Sequence, residues 1–370
     1  MLVSGASFAG LATAYWLDRL GYAVTIVEVA SGLRKGGTPV DIEGETIGIL
    51  QRMGMFDAVR AKALPPRAFE FKNAEDHTLG GFGVETGANP PPTRFEIHRD
   101  DLLDILFAGI DGSVELLFGR SIKQLDDKPE GVTVTLDDGT RRTFALVFGC
   151  DGNRSNTRKL VFGDEKNFTY FMGGYVYLKV VPVTGLLAPN VSQVFSVPGR
   201  TAMLNGYEDR TDIGLAFRTE GEIAYDYRDR AELRAMIHNH FDGLGWKVPA
   251  ALKHVDTDDD FYFDRINQIR MPFWSKGRVA LVGDAGYCVS PVAGMGGSMA
   301  IIGAGRIAEA LERHGADYAA AFQDYQDKLR AFVDDVQRRA VNDGMATIFP
   351  ADDAEISERD RKLRDGELDL

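Results

Sequence analysis

Gly5, Ser7 and Gly10 stand between a short apolar run, Met1–Ser4, and a stretch of helical pattern, Leu11–Leu20. Small residues at this spacing, with a strand before and a helix after, suit the holding of a phosphate. Gly5 permits the tight turn. The small middle residue lets backbone approach a pyrophosphate, and Gly10 lets the helix pack close to the sheet. Phe8 and Ala9 complete the turn, beside the free N–H groups of the helix N-terminus. Ser7 takes the place of the usual middle glycine, and its hydroxyl is itself able to bond a phosphate. A second apolar strand, Ala23–Val27, ends in Glu28, where a carboxylate accepts hydrogen bonds from the ribose of an adenosine. A chance glycine turn competes with this reading if the six residues are taken alone. The strand, helix and acid around them favour the dinucleotide site.

Further candidates lie along the chain. Arg34, Gly36 and Gly37 fall in a charged, glycine-rich loop that leads into Val40-Asp41-Ile42. Arg34 either contacts the adenosine side of a nucleotide or is solvated. Arg99 precedes Asp101-Leu102-Leu103. Asp151, in Cys150-Asp151-Gly152, is a ligand-site acid or a plain turn residue. Late in the chain, a buried strand, Arg278–Val282, runs into Gly283-Asp284-Ala285. Pro291 and Gly294-Met295-Gly296-Gly297-Ser298 follow and open a helix, Gly296–Leu311. Cys150 and Cys288 read as buried thiols rather than redox partners, and His98 as a capping or surface residue.

The elements that must position these groups form an α/β pattern with a β-rich interruption. Thr46–Ala63 has a helical apolar face, and Arg99–Ala108 is a second helix. Ala68–Asn73 and Thr93–Ile97 alternate as strands. Gly80–Pro92 reads as loop or hairpin. Val114–Phe118, Ser121–Leu125, Val132–Leu136 and Thr143–Phe148 are strands, with Asp137-Asp138-Gly139 as a hairpin turn. From Phe168 to Phe217 the chain is strand-like and rich in aromatics. Ala231–Phe241 is a helix, Phe261–Phe263 a strand, and Tyr318–Val341 a long amphipathic helix. The charged tail, Pro350–Leu370, frays or forms a terminal helix. The expected fold is α/β: a discontinuous Rossmann-like nucleotide-binding domain over residues 1–72, 97–165 and 270–315. A β-sheet substrate domain takes 73–96 and 166–269, and a C-terminal helical segment takes 316–370.

Composition narrows the function without naming it. With 42 Lys and Arg against 55 Asp and Glu in 370 residues, the net charge is −13, which disfavours nucleic acid as a partner. The 44% hydrophobic share is enough for a sizeable core. No apolar run approaches the roughly 18 residues of a membrane span, and no signal peptide is recognisable at the start. Two cysteines and six scattered histidines suggest neither a disulfide framework nor a metal site. The cytoplasm is the expected compartment. Oligomeric state is not readable.

Taken in order, four motifs resemble those of the class A flavin-dependent aromatic hydroxylases, the para-hydroxybenzoate hydroxylase type. They are Gly5–Gly10 with Glu28; Arg34–Gly37 into Val40–Ile42; Cys150-Asp151-Gly152 with Arg154, Ser155 and Arg158; and Gly283-Asp284-Ala285 with Pro291 and Gly294–Ser298. The resemblance covers nearly the whole chain. The stretch Asp260–Asp264 through Lys276-Gly277-Arg278 is most similar to the tetracycline-inactivating branch. The resemblance implies FAD as cofactor, with NADPH or NADH as reductant and O2 as co-substrate. Oxygen would pass through a flavin C4a-hydroperoxide to an aromatic or polyketide-like substrate, a tetracycline type among them. It implies that Glu28 holds the adenosine ribose, that Arg99 lies near the cofactor and that Asp284 takes the ribityl chain. Pro291 would line the cofactor, Gly294, Gly296, Gly297 and Ser298 would face the flavin edge with their N–H groups, and the glycines would let the flat ring lie on bare backbone. Asp151 would serve FAD or the pyridine nucleotide. The cofactor supplies the hard chemistry, so no protein nucleophile or triad is expected. Tyr170, Tyr175, Phe195 and Phe217 are candidates for the substrate roof. Rival readings are a flavin reductase or halogenase of the same fold, and an FAD-containing binding protein without turnover.

Overall fold

The computed structural model describes residues 1–82, 93–110, 112–183, 185–257 and 259–367. Among these, a six-stranded sheet forms the floor. Its strand order is Ser275–Lys276, Val279–Leu281, Val147–Gly149, Leu2–Ser4, Thr25–Glu28, Glu115–Phe118. All neighbours are parallel except the first pair. Central strands of a parallel sheet are covered on both faces, which is why Leu2, Val3, Ile26 and Phe148 are wholly apolar and buried. The first helix, Phe8–Arg19, and a long helix, Gly296–His314, pack together over this sheet. The helix Tyr318–Arg339 closes the core with Phe322, Tyr325, Leu329 and Val333. The Tyr325 hydroxyl donates to Leu281 O at 3.1 Å and lies 2.9 Å from that of Tyr287.

Leu2–Ser4 sits between Val147–Gly149 on one side and Thr25–Glu28 on the other. The chain therefore leaves the sheet in opposite directions at its carboxyl edge, where ligands bind in open α/β sheets. The loops after Ser4 and after Gly149 meet there.

A seven-stranded sheet forms the roof, in the order Tyr262–Ile269, Thr169–Pro182, Arg210–Arg218, Arg200–Gly206, Val191–Val197, Ala68–Lys72, Thr78–Phe82. Helices Arg230–Phe241 and Val248–Val255 cover one face of it. The other face turns toward the floor: Met172, Val176, Ala216 and Ile266 pack with Ala340 and Met345. A two-stranded ribbon, Val40–Glu43 with Arg94–Ile97, stands between floor and roof. Ile122–Lys128, Gly131–Leu136 and Arg141–Phe144 form a small antiparallel sheet at the flank.

Several elements differ from the sequence expectation. The helix read over Thr46–Ala63 is two, Glu45–Arg52 and Phe56–Ala61, because Gly54 adopts φ 69° and turns the chain. The strand read over Thr143–Phe148 divides between two sheets. Ala68–Lys72 pairs with Val191–Val197 in the roof, and Arg94–Ile97 pairs with Val40–Glu43 in the ribbon. The loop or hairpin read over 80–92 lies outside the described residues beyond Phe82. The tail takes the second of the two forms read for it, a terminal helix, Asp353–Arg364, seated on the roof edge.

Candidate functional site

The Gly5 turn is built as the spacing requires. Gly5 has φ 104°, and a Cβ there would lie 2.5 Å from Cys150 O; one on Gly10 would lie 1.8 Å from Gly5 O. The first helix thus begins against the carbonyl of its own turn. Ser7 is its N-cap but makes no side-chain cap; its Oγ accepts from Arg99 Nη2 at 3.1 Å instead. The first-turn N–H groups therefore keep their capacity for an anion.

Glu28 is buried at the end of its strand. Oε2 accepts from Ala6 N at 2.9 Å, and Oε1 from Ala30 N at 2.8 Å and Arg34 Nη2 at 3.2 Å. Backbone donors orient the carboxylate at the lip of the turn, and Arg34 swings over it from an exposed position. Gly36 and Gly37 have φ 90° and 101°, and a Cβ on Gly37 would approach Arg99 Cδ to 3.0 Å. That loop lies over the Arg99 side chain. The guanidinium sits 4.6 Å from the Phe8 ring, and burial together with Asp284 sets its electrostatics.

The late motif arrives at the same place. A Cβ on Gly283, whose φ is 68°, would meet Ala9 Cβ at 3.0 Å and Ala300 Cα at 3.7 Å. Burial pushes the Asp284 carboxyl up, opposed by Arg99 and Cys288. The helix Gly296–His314 also begins without a side-chain cap. Ser298 Oγ instead donates to Asp41 O at 2.8 Å, and a Cβ on Gly297 would strike Val40 Cγ1 at 2.3 Å. Gly294 adopts φ 67° after the turn Pro291–Ala293, and Asp41 Oδ2 lies 3.7 Å from the point a Cβ would take. The structure thus brings together Gly5–Gly10, Glu28, Arg34, Gly36, Gly37, Arg99, Asp284, Pro291 and Gly294–Ser298. Two uncapped helix ends, a half-buried arginine and two carboxylates fit a long ligand with a diphosphate in its middle.

Asp151 lies in the neighbouring loop, and its oxygens are taken by its own turn. Oδ2 accepts from Thr157 N and Oγ1, both at 2.8 Å, and Oδ1 from Ser155 Oγ. The fully buried Arg158 ties that turn to the late motif, donating to Ala285 O at 2.9 Å and Asn153 O at 2.6 Å. Cys150 and Cys288 are free and buried, and burial pushes both thiols up.

The roof aromatics are placed apart from this cleft. Tyr175, Phe195 and Phe217 point into the core between the sheet and helices Arg230–Phe241 and Val248–Val255. Tyr170 is exposed, with the Arg270 guanidinium 3.6 Å from its ring. The opposite face, toward the floor, carries Leu178, Gly214 and Met203 on paired strands. Beside them lie Asp212 and Asn205, neither of which the sequence reading singled out. Strand alternation sorts residues into two faces, but only the assembled fold says which face the floor covers.

An α/β floor with a diphosphate turn, joined by a second glycine turn and covered by a sheet, defines a dinucleotide-cofactor oxidoreductase fold. The chain belongs to the FAD binding domain family, whose sequence model matches residues 1–340. It is 38% identical over 340 residues to an uncharacterised protein of Mycobacterium tuberculosis, covering 90% of each chain. A flavin-dependent monooxygenase from an unknown prokaryotic organism is 32% identical over 369 residues, covering 100% of this chain and 94% of its own. The crystal structure of tetracycline destructase Tet(51) matches with TM-score 0.85 at 30% identity, over 99% of this chain and 95% of that one. The chain is thus a flavin-dependent monooxygenase of this family, and its cofactor is FAD. Among the described residues no helix is long and apolar enough to cross a membrane.

Proposed function

We propose that the protein is an NAD(P)H-dependent monooxygenase that places one atom of O2 on an electron-rich carbon of an aromatic or polyketide-like substrate, tetracycline types included. Bound FAD supplies the redox and oxygen-activating chemistry. The chain's own residues bind, orient and exclude water. Glu28 holds the adenosine ribose, with Arg34 at the rim. The N-terminus of Phe8–Arg19 and the Arg99 guanidinium face the diphosphate. Asp284 accepts from the ribityl hydroxyls, and the N–H groups opening Gly296–His314 face the ring edge where negative charge gathers on reduction. On this reading the floor is the FAD part and the roof the substrate part. The half-exposed roof residues Leu178, Gly214 and Met203 offer an apolar surface for a flat substrate.

One observation carries the reading: Gly283 packs against both Ala9 and Ala300, so the two uncapped helices meet there, and Arg99 bonds Ser7 of the first while interacting electrostatically with Asp284. The test is the visible spectrum of the purified protein, followed by NADPH and oxygen consumption across phenols and polyketides. A flavin band, substrate-stimulated NADPH oxidation and a product one oxygen atom heavier are expected. Bleaching without oxygenated product points to a reductase. Tight ligand binding without NADPH oxidation points to a binding protein. A colourless protein that takes only a pyridine nucleotide sinks the reading.

A further inference from the structure

On the roof face turned toward the floor, Asn205 and Asp212 sit directly opposite each other on paired strands. Their parity is fixed by their neighbours: Leu204, Ile213 and Leu215 enter the helix-covered core, so Asn205, Asp212 and Gly214 face the other way. Asp212 is 3% exposed and Asn205 6%. Yet both carboxylate oxygens of Asp212 and Oδ1 of Asn205 are buried without a hydrogen-bond partner. Orphaned oxygens at this depth are uncommon in folded proteins and call for a ligand, an ion or a water.

The surrounding charges say which ligand. The cations on this wall are already engaged. Arg67 makes a bidentate contact with Glu96, at 3.1 Å from Nε and 2.6 Å from Nη2 to Oε2, and gives Nη1 to the Tyr207 hydroxyl. Arg210 pairs with Asp209 at 2.9 Å and stands 3.9 Å from Asp100. The Tyr207 hydroxyl, which accepts from Arg67, lies within reach of Asp212 and favours its ionised form, and its ring packs against His98 at 4.9 Å. Across the cleft the ribbon adds another carboxyl, Asp41, whose nearest cation is Arg94 at 3.8 Å. Asn205 Oδ1 is an acceptor, and Asp212 becomes acceptor-only once ionised, so a donor fits between them, and where the cations among the described residues are already paired a positive donor, which also draws the carboxyl into its ionised form, is favoured.

We infer that Asp212 and Asn205 form a specificity subsite for the amino group of the substrate, an ammonium or amine carried on the aromatic or polyketide frame. This rests on the proposed function and adds a substrate class to it: amine-bearing members are preferred, and carboxylate-bearing ones are repelled. Asp212 acts in binding and orientation. The cofactor chemistry does not pass through it.

The experiment uses the FAD-loaded protein and two probe pairs read by perturbation of the flavin spectrum. One pair is tyramine and 4-ethylphenol; the other is tetracycline and its analogue lacking the dimethylamino group. The expected result is that in at least one pair the amine-bearing member binds about tenfold or more tighter than its partner. Asp212→Asn, which keeps the shape, should bring that ratio within about threefold without altering the flavin band, and Asn205→Ala should lower it part of the way. Equal affinities within both pairs overturn the inference, as does an Asp212→Asn variant that weakens both members alike, or the absence of any amine-bearing ligand. Should Asp212→Asn lose its FAD, the wild-type ratios decide alone. Failure of the underlying reading looks different, because there the flavin band or the NADPH oxidation is itself missing.

Discussion

Gly10 illustrates how little freedom the phosphate turn has. The nearest obstacle to a Cβ is the Gly5 carbonyl oxygen at 1.8 Å, which is backbone and has no rotamer to adopt. Gly10→Ala is therefore expected to shift the first helix and weaken FAD binding on the order of tenfold or more, read as flavin absorbance retained per mole of protein after dialysis. Asp212 gives a prediction of different kind. Burial raises its carboxyl from 3.8 to about 7, opposed by Arg67, the Tyr207 hydroxyl and Arg210 and assisted by Glu96. The folded state thus holds a proton that the unfolded chain releases, so stability falls as pH rises between these two values and is level above them. Asp212→Asn removes that slope. Its gain in unfolding free energy over the wild type, measured by denaturant unfolding without ligand, is expected to grow from about pH 4 to about pH 7 and then stay constant, reaching about 4 kcal/mol. An equal difference at both ends of the range would show that the carboxyl is not the source. The cost of an unpartnered acid is tolerable at a site where a ligand supplies the missing donor.

At the scale of elements, the join between Gly296–His314 and the ribbon sets the flavin edge. Ser298 Oγ holds Asp41 O at 2.8 Å, and Gly297 has Val40 Cγ1 where its Cβ would be. Gly297→Val is expected to push the helix end off the ribbon. FAD affinity should fall more than the melting temperature of the apoprotein, measured by fluorescence titration with FAD and by thermal unfolding. The terminal helix Asp353–Arg364 offers a second test. Leu363 packs with Phe71 and Val194, and Arg359 lies 4.5 Å over the Phe71 ring with Nη1 3.0 Å from Ser196 Oγ. Leu363→Ala should cost about 2–3 kcal/mol by denaturant unfolding, at the low end for a buried leucine because it lies at an edge. Legibility in the sequence followed locality. The first strand, helix and strand could be read because glycine spacing, apolar runs and Glu28 all lie within thirty residues and constrain one another. The Gly283-Asp284 turn was legible through its own glycines. The break at Gly54 was not, since an apolar period continues across it. The helix Val248–Val255 is too short to declare itself. Tyr175, Phe195 and Phe217 read only as aromatics on strands, because which face they share with the helices depends on registers set by residues dozens of positions away. Asp212 was illegible for the same reason.

Floor and roof are held together by polar contacts that cross from the loop after Gly149 to the first roof strand. Arg154 Nη2 lies 2.6 Å from Asp264 Oδ1, and Asn153 and Asn267 exchange amide bonds at 2.8 and 2.9 Å. Arg158, from the same loop, grips Ala285 O beside Asp284. One loop therefore fixes the spacing between the cofactor floor and the roof, and its contacts need not be equally costly to lose. Asp264 is buried, with Arg265 N at 2.9 Å, and Tyr225 and Tyr262 hydroxyls each at 3.4 Å. Arg154 is partly exposed and recovers water when its partner goes. Removing the arginine leaves a buried carboxylate without its counter-charge, whereas removing both leaves none. Arg154→Ala is accordingly expected to destabilise more than the double variant Arg154→Ala with Asp264→Asn. Asp264→Asn alone should fall between the double variant and the wild type, because the amide still accepts from Arg154 and Arg265. Denaturant unfolding of all four proteins gives the order, and the coupling expected is on the order of 1–2 kcal/mol. If the two single losses simply add, the pair is a surface contact, and the spacing of floor and roof must be kept by the Asn153–Asn267 and Arg158 bonds instead.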